Sequence, residues 1–283
     1  MSKLLLGKPV ADAMTEDLAV RVDALKAAGV QPVLAIVRVG ERPDDLSYER
    51  GVAKRAQSVG VDVRPFVLAE DASQQQLEAV IRQVNEDASI HGCLMFRPLP
   101  AHLDEDAACA LLAPEKDVDA ISPAALAGVF ADLQGAFAPS TAVACMKVLD
   151  HYGIDPEGRK VAVIGRSLVI GKPVAMLLLA RNATVTICHS RTRDLAEAVR
   201  EAEIVICATG RARAYGADFF REGQTVIDVG INVDAEGKLC GDVDFEAVED
   251  LVDAITPVPR GVGSVTSAVT VGHTVQAAER ALV

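Results

Sequence analysis

KVAVIGRSLVIGKPVAMLLLARNATVTICHS, residues 160–190, is the stretch from which the fold is read. A β-branched run, KVAVIG, passes through a turn bounded by Gly165 and Gly171 into PVAMLLLA, whose alanines and leucines favour helix. A second β-branched run, ATVTICH, follows after two residues, so the segment reads as one βαβ unit with parallel strands. Downstream, DLAEAVREA, IVICATG and TVIDVG continue as helix, strand and strand, which predicts a doubly wound sheet. Upstream, a helix over 9–28, a strand over 32–40, a helix over 47–60, a strand over 61–70, a helix opening on Ser73 and a strand over 91–100 repeat the alternation. A helix over 139–153 leads into the second series. The expected fold class is α/β with two domains: residues 1–139, completed by a C-terminal helix over 264–283, and a Rossmann domain over 140–263.

Composition narrows the partners. The chain has 283 residues, half of them hydrophobic, enough for two cores. Its net charge is −12 and no Lys/Arg-rich run interrupts the acidity, which argues against nucleic acid. No apolar run reaches the roughly 20 residues of a membrane span, and MSKLLLGKPVADAMTE turns acidic too early for a secretory signal. A cytoplasmic protein without a membrane partner is the expectation. The six cysteines lack paired spacing and the five histidines lack metal spacing, so no metal is assigned.

VIGRSLVIGKP, residues 163–173, follows a strand and opens a helix, the context in which a glycine turn points to phosphate. Gly165 allows the sharp turn, Gly171 the close approach, and Pro173 suits the first helical turn. Free N–H groups and the helix dipole are expected to receive the phosphate. The next strand ends in Cys188-His189-Ser190-Arg191-Thr192 rather than in an acid. An acid there would accept from the ribose hydroxyls of NAD, whereas donors and a cation suit the 2′-phosphate of NADP, with Arg166 as a second clamp. NADP is the expected cofactor.

Together with RVGERPDDLSY, PEKDVDA, VIDVGIN, GDVDF and ITPVPRGVGSVT, these segments resemble the methylenetetrahydrofolate dehydrogenase/cyclohydrolase family over nearly the whole chain. The resemblance implies an N-terminal folate-binding domain, a C-terminal NADP-binding Rossmann domain with a cleft between them, and a homodimer through the Rossmann domain. It implies oxidation of 5,10-methylene-tetrahydrofolate by hydride transfer to NADP, then hydrolysis of the methenyl product to 10-formyl-tetrahydrofolate. By position, Gly165, Arg166, Ser167, Gly171, Ser190, Arg191 and Thr209 would hold the cofactor, with Ile231 and Thr266 along its nicotinamide end. Tyr48 and Asp119 are the implied catalytic pair. Tyr48 would stack on the aminobenzoyl ring, Asp119 would hydrogen-bond the pterin, and Pro98, Leu99, Gly263 and Ser264 would complete the tetrahydrofolate site.

The folate side departs from the family pattern. Val52 stands where YxxxK has its lysine, and Phe96 where QLPLP has its glutamine. Replacing both partners of a buried polar pair with hydrocarbon is nearly neutral, whereas losing one costs ~1–3 kcal/mol, so the two changes read as one event. Lys54 lies ~240° round the helix from Tyr48 and faces away, while Arg55 shares its face but stays protonated. PCTPxG becomes Pro139-Ser140-Thr141-Ala142, KDVDG ends in Ala120, and PGGVGPMT becomes Pro259-Arg260-Gly261-Val262-Gly263-Ser264-Val265-Thr266. Arg97 and Arg260 either add cations to a rim that an anionic substrate tail would meet or stand as ordinary surface residues. The leading expectation is a methylene-tetrahydrofolate dehydrogenase with weak or lost cyclohydrolase activity. A divergent NADP-dependent oxidoreductase on another small molecule and a non-catalytic NADP-binding subunit are the alternatives.

Overall fold

The computed structural model describes residues 2–282. In chain order its main elements begin with β1 (Lys3–Leu4), α1 (Gly7–Ala27), β2 (Val33–Val39), α2 (Pro43–Val59), β3 (Asp62–Leu68), α3 (Gln74–Glu86) and β4 (Gly92–Met95). There follow α4 (Glu105–Leu111), α5 (Pro123–Phe130), α6 (Ser140–His151), β5 (Lys160–Ile164), α7 (Gly171–Ala180), β6 (Thr184–Cys188), α8 (Leu195–Arg200) and β7 (Ile204–Cys207). The last are β8 (Thr225–Asp228), β9 (Asn232–Val233), β10 (Leu239–Cys240), α9 (Phe245–Val248), β11 (Ala254–Ile255) and α10 (Gly263–Arg280). The chain divides into two compact units, one of residues up to Ala11 with Thr141–Thr266, the other of Asp12–Ser140 with the residues from Ser267.

The second of these units holds a three-stranded parallel sheet in the order β3-β2-β4. All seven residues of β2 are buried, as expected of a central strand covered on both faces. The period of two sends Leu34 and Ile36 into one cluster with Val52 and Phe96, and Val33, Ala35 and Val37 into the other with Leu77 and Ile81. Helix α2 begins four residues earlier than expected, because Pro43 takes its first turn with Asp44 and Asp45 beside the positive helix end. It stops at Gly60, which is left-handed at φ 80° and returns its N–H to the carbonyls of Ala56 and Gln57. Helix α3 opens on the expected Ser73, in a reciprocal capping box with Gln76.

The other unit is a six-stranded, wholly parallel sheet in the order β1-β11-β8-β7-β5-β6. From β5 the chain moves outward to β6, then returns to the opposite side of β5 for β7. That reversal opens a crevice at the carboxyl ends of β5 and β7, where doubly wound sheets bind ligands.

Two expected boundaries are corrected. Residues 1–139 do not begin one unit: β1 hydrogen-bonds alongside β11 as an edge strand of the six-stranded sheet. A two-residue edge strand carries no periodicity from which its sheet could be read. The helix expected over 264–283 starts at Gly263, and its first turn, through Thr266, groups with the six-stranded sheet.

Candidate functional site

Gly165 directly follows β5 at φ 131°, and a Cβ there would collide with the carbonyl of Ala208, the residue after β7. A Cβ on Gly171 would strike the backbone of Gly165 and Arg166. Both glycines are therefore required for the turn to close. Ser167 completes it. Its Oγ accepts from the N–H groups of Ile170 (3.1 Å) and Gly171 (3.4 Å), and its carbonyl accepts from Lys172. The expectation of free helix-terminal donors is corrected accordingly, because Ser167 takes up those of the first turn. Arg166, Ser190 and Arg191 are exposed beside this turn and at the end of β6.

The loop after β7 is held by one carboxylate. Asp242 Oδ2 accepts from the N–H and the hydroxyl of Thr209 and from Gly210 N–H, while Oδ1 accepts from Arg211 N–H (2.8 Å) and Asn232 Nδ2 (3.0 Å). Asp228 does the same for its own surroundings. It accepts from Gly230 and Asp242 N–H at Oδ1 and from Val243 N–H at Oδ2. Burial pushes the Asp228 carboxyl up to about 7 against these three donors. The acids of VIDVGIN and GDVDF were not singled out from sequence. Their signal was each acid's place next to, or two residues from, a glycine.

Beside Asp228 opens a cleft of about 200 Å³ lined by Ile231, Arg260, Gly263 and Ser264 among others. The structure thus brings three of the expected site residues, Ile231, Gly263 and Ser264, around one space. Thr266 is not among them. It is buried, with its hydroxyl 3.5 Å from the carbonyl of Val262 one turn earlier. Arg260 keeps a left-handed backbone at φ 85° where the family pattern has glycine, and Ala120 does so at φ 50°.

In the unit built on β3-β2-β4, Arg38 of β2 reaches Glu49 of α2 at 2.8 Å and helps anchor that helix. Tyr48 meets Phe96 edge to face, with ring centroids 5.9 Å apart. Val52 and Phe96 lie together in hydrocarbon, Val52 with no exposed surface. Lys54 is exposed and Arg55 donates to Thr15 Oγ1 at 2.7 Å, so neither cation enters that cluster. Burial, reinforced by the charge of Asp119, pushes the Tyr48 phenol well above its ordinary range. Burial also raises the Asp119 carboxyl, opposed by hydrogen bonds from Ser140, whose N–H lies 2.8 Å from Oδ1.

Other expected members stand elsewhere. Leu99 packs with Met95 and Leu103 in the cluster on the opposite face of the sheet, and its N–H donates to Glu105. Pro98 is exposed, and its carbonyl accepts from Arg42. Arg97 is paired with Glu105 at 3.6 Å and is not a free rim cation. Among the described residues no cluster of His, Cys, Asp or Glu has the arrangement of a metal site, and no helix is long and apolar enough to cross a membrane.

A doubly wound parallel sheet with a glycine turn at its switch point, in a chain whose other α/β unit carries half-buried Tyr48 and Asp119, defines a dinucleotide-binding α/β enzyme. Residues 5–119 match the catalytic domain of tetrahydrofolate dehydrogenase/cyclohydrolase, and residues 139–282 match its NAD(P)-binding domain. The chain belongs to the tetrahydrofolate dehydrogenase/cyclohydrolase family. The bifunctional protein FolD of Clostridioides difficile is 51% identical over 275 residues, spanning 97% of this chain and 96% of that protein. The crystal structure of the bifunctional FolD of Campylobacter jejuni superposes with a TM-score of 0.96 at 37% identity, covering 99% of both chains. That of Trypanosoma brucei, complexed with NADP cofactor and inhibitor, gives 0.93 at 33%, covering 99% of this chain and 98% of that one.

Proposed function

We propose that the chain oxidises 5,10-methylene-tetrahydrofolate to 5,10-methenyl-tetrahydrofolate with NADP, and that its hydrolysis of the methenyl product is weak or lost. The tight turn that Gly165 and Gly171 close lies at the switch point of the doubly wound sheet, the place where such sheets take a dinucleotide, which supports the reading. Arg166, Ser190 and Arg191 would hold NADP, their cation and hydroxyl donors suiting a phosphate on the ribose. When bound, NADP supplies the hydride acceptor. Ile231 and Ser264 border the cleft beside Asp228 that suits its nicotinamide end. Tyr48 would offer its ring face to the folate, and Asp119 would accept hydrogen bonds from the pterin.

Hydride transfer needs a donor carbon held near an acceptor face, which packing and hydrogen bonds supply. Hydrolysis of the methenyl cation also needs a group that takes a proton from water and returns one to a ring nitrogen. The observation that carries the reading is the Val52–Phe96 hydrocarbon contact region, which lacks the ammonium and amide of the family pattern. The bifunctional name of the C. difficile relative favours a second reading, in which hydrolysis is retained. Supplying methenyl-tetrahydrofolate alone separates the two. Decay at the buffer rate supports the first, and enzyme-dependent decay abolished by Lys54→Ala assigns the hydrolysis to Lys54 and overturns it. Coincident formation of reduced nicotinamide and methenyl chromophore from the methylene substrate tests the dehydrogenase.

A further inference from the structure

Tyr48 and Asp119 are joined by a chain of hydroxyl groups. Thr270 Oγ1, fully buried on α10, donates to Ser140 Oγ at 3.0 Å. Tyr48 Oη and Thr270 Oγ1 lie 3.5 Å apart, a contact in which either hydroxyl can donate. Ser140, also fully buried, closes the series on Asp119, to which it gives its N–H at 2.8 Å and hydrogen-bonds through its side chain as well. The hydroxyls thus form one continuous series between phenol and carboxylate.

We propose that Ser140 and Thr270 are positioning residues for the folate substrate, holding the Tyr48 ring and the Asp119 carboxylate in fixed orientation through this hydroxyl chain. The inference rests on the functional reading above and adds two residues to it. The chain matters more in this protein because Val52 and Phe96 give Tyr48 no polar neighbour on their side of the ring. Ser140 falls where the family pattern has cysteine, a poorer hydrogen-bond donor and acceptor. Here a full hydroxyl bridges Thr270 to Asp119.

Thr270→Val keeps the shape and removes the hydroxyl, whereas Thr270→Ser keeps the hydroxyl and removes a methyl group. The expected result is about a tenfold rise in KM for methylene-tetrahydrofolate in Thr270→Val and in Ser140→Ala, with KM for NADP unchanged. Thr270→Ser should stay within about twofold of wild type. Equal losses in Val and Ser variants, or a larger loss in Ser, would mean packing alone and would overturn the proposal. A second readout needs no substrate. The chain has three tyrosines and no tryptophan, so its near-ultraviolet band reports tyrosine directly. Thr270→Val should shift that band, Thr270→Ser should not, and both should be silent in a Tyr48→Phe background. An unshifted band in Thr270→Val would show that the hydroxyl chain does not hold Tyr48. Absence of methylene-tetrahydrofolate turnover in wild type would strike the functional reading, and the folate role proposed here with it. A tyrosine band that still responds would then identify the substrate as the failed part.

Discussion

The N–H of Asp242 donates to Asp228 Oδ1 at 3.0 Å, and each of these aspartates occupies the space beside the other's neighbouring glycine. A Cβ on Gly241 would overlap Asp228 Oδ2, and one on Gly230 would overlap Asp242 Oδ1. The two segments, Asp228-Val229-Gly230 and Gly241-Asp242-Val243, therefore interlock. Through Asp242 the interlock sets the loop at Thr209, and through Asp228 the wall of the cleft that holds Ile231.

Gly230→Ala and Gly241→Ala should each destabilise the protein by about 1–3 kcal/mol or more, since the obstructing atoms belong to buried carboxylates that already accept backbone N–H groups. Denaturant midpoints measure the loss. A midpoint unchanged in Gly241→Ala would mean that the two segments do not interlock in solution.

The Asp228 carboxyl titrates near 7 in the folded protein against 3.8 in the reference state. The folded protein binds more protons between those values, so this group's contribution to stability falls as pH rises from about 4 to about 7, then levels off. Asp228→Asn cannot titrate, and its amide faces Val243 N–H with a donor. Wild type should therefore exceed the variant in stability by more at about pH 5 than at about pH 8, as paired denaturation curves would show. A difference growing with pH contradicts the assignment.

Val52→Lys alone should lower stability by about 3–5 kcal/mol, because the ammonium would enter a hydrocarbon cluster without an acceptor. It should not accelerate methenyl hydrolysis. Adding Phe96→Gln should recover part of the lost stability, measured by thermal midpoint, and is the background in which hydrolysis would return.

Ala120 and Arg260 hold left-handed backbone at φ 50° and 85°. Glycine adopts that region without the Cβ clash, at some entropic cost in the unfolded chain. Ala120→Gly and Arg260→Gly should each raise stability by roughly 0.5–1 kcal/mol, against the usual effect of introducing glycine.

Arg191→Ala should raise KM for NADP by about 10- to 100-fold while leaving KM for NAD nearly unchanged, the loss expected for one charge-assisted contact to phosphate. Parallel cofactor titrations in a dehydrogenase assay check it. Equal losses with both cofactors would remove the 2′-phosphate from Arg191.

By itself the sequence determined what depends on local repetition. The β-branched runs around Gly165 and Gly171 specify strand, turn and helix because side-chain period and glycine conformational freedom are properties of neighbouring residues. The one-turn spacing of Tyr48 and Val52 likewise places them on one helix face, and the cluster containing both follows from it. Only the tertiary structure decided the rest. It decided that the residues around Lys3 and Leu4 edge the six-stranded sheet, that Ser167 consumes the donors of its own turn, and that Leu99 packs on the opposite face of the sheet from Tyr48. The Asp228–Asp242 bond joins residues 14 apart, and the Ser140–Thr270 bond residues 130 apart. Such pairs have no shared period to announce them. Their meeting is set by how separate elements pack, and by the requirement that a carboxylate or hydroxyl buried there finds a partner.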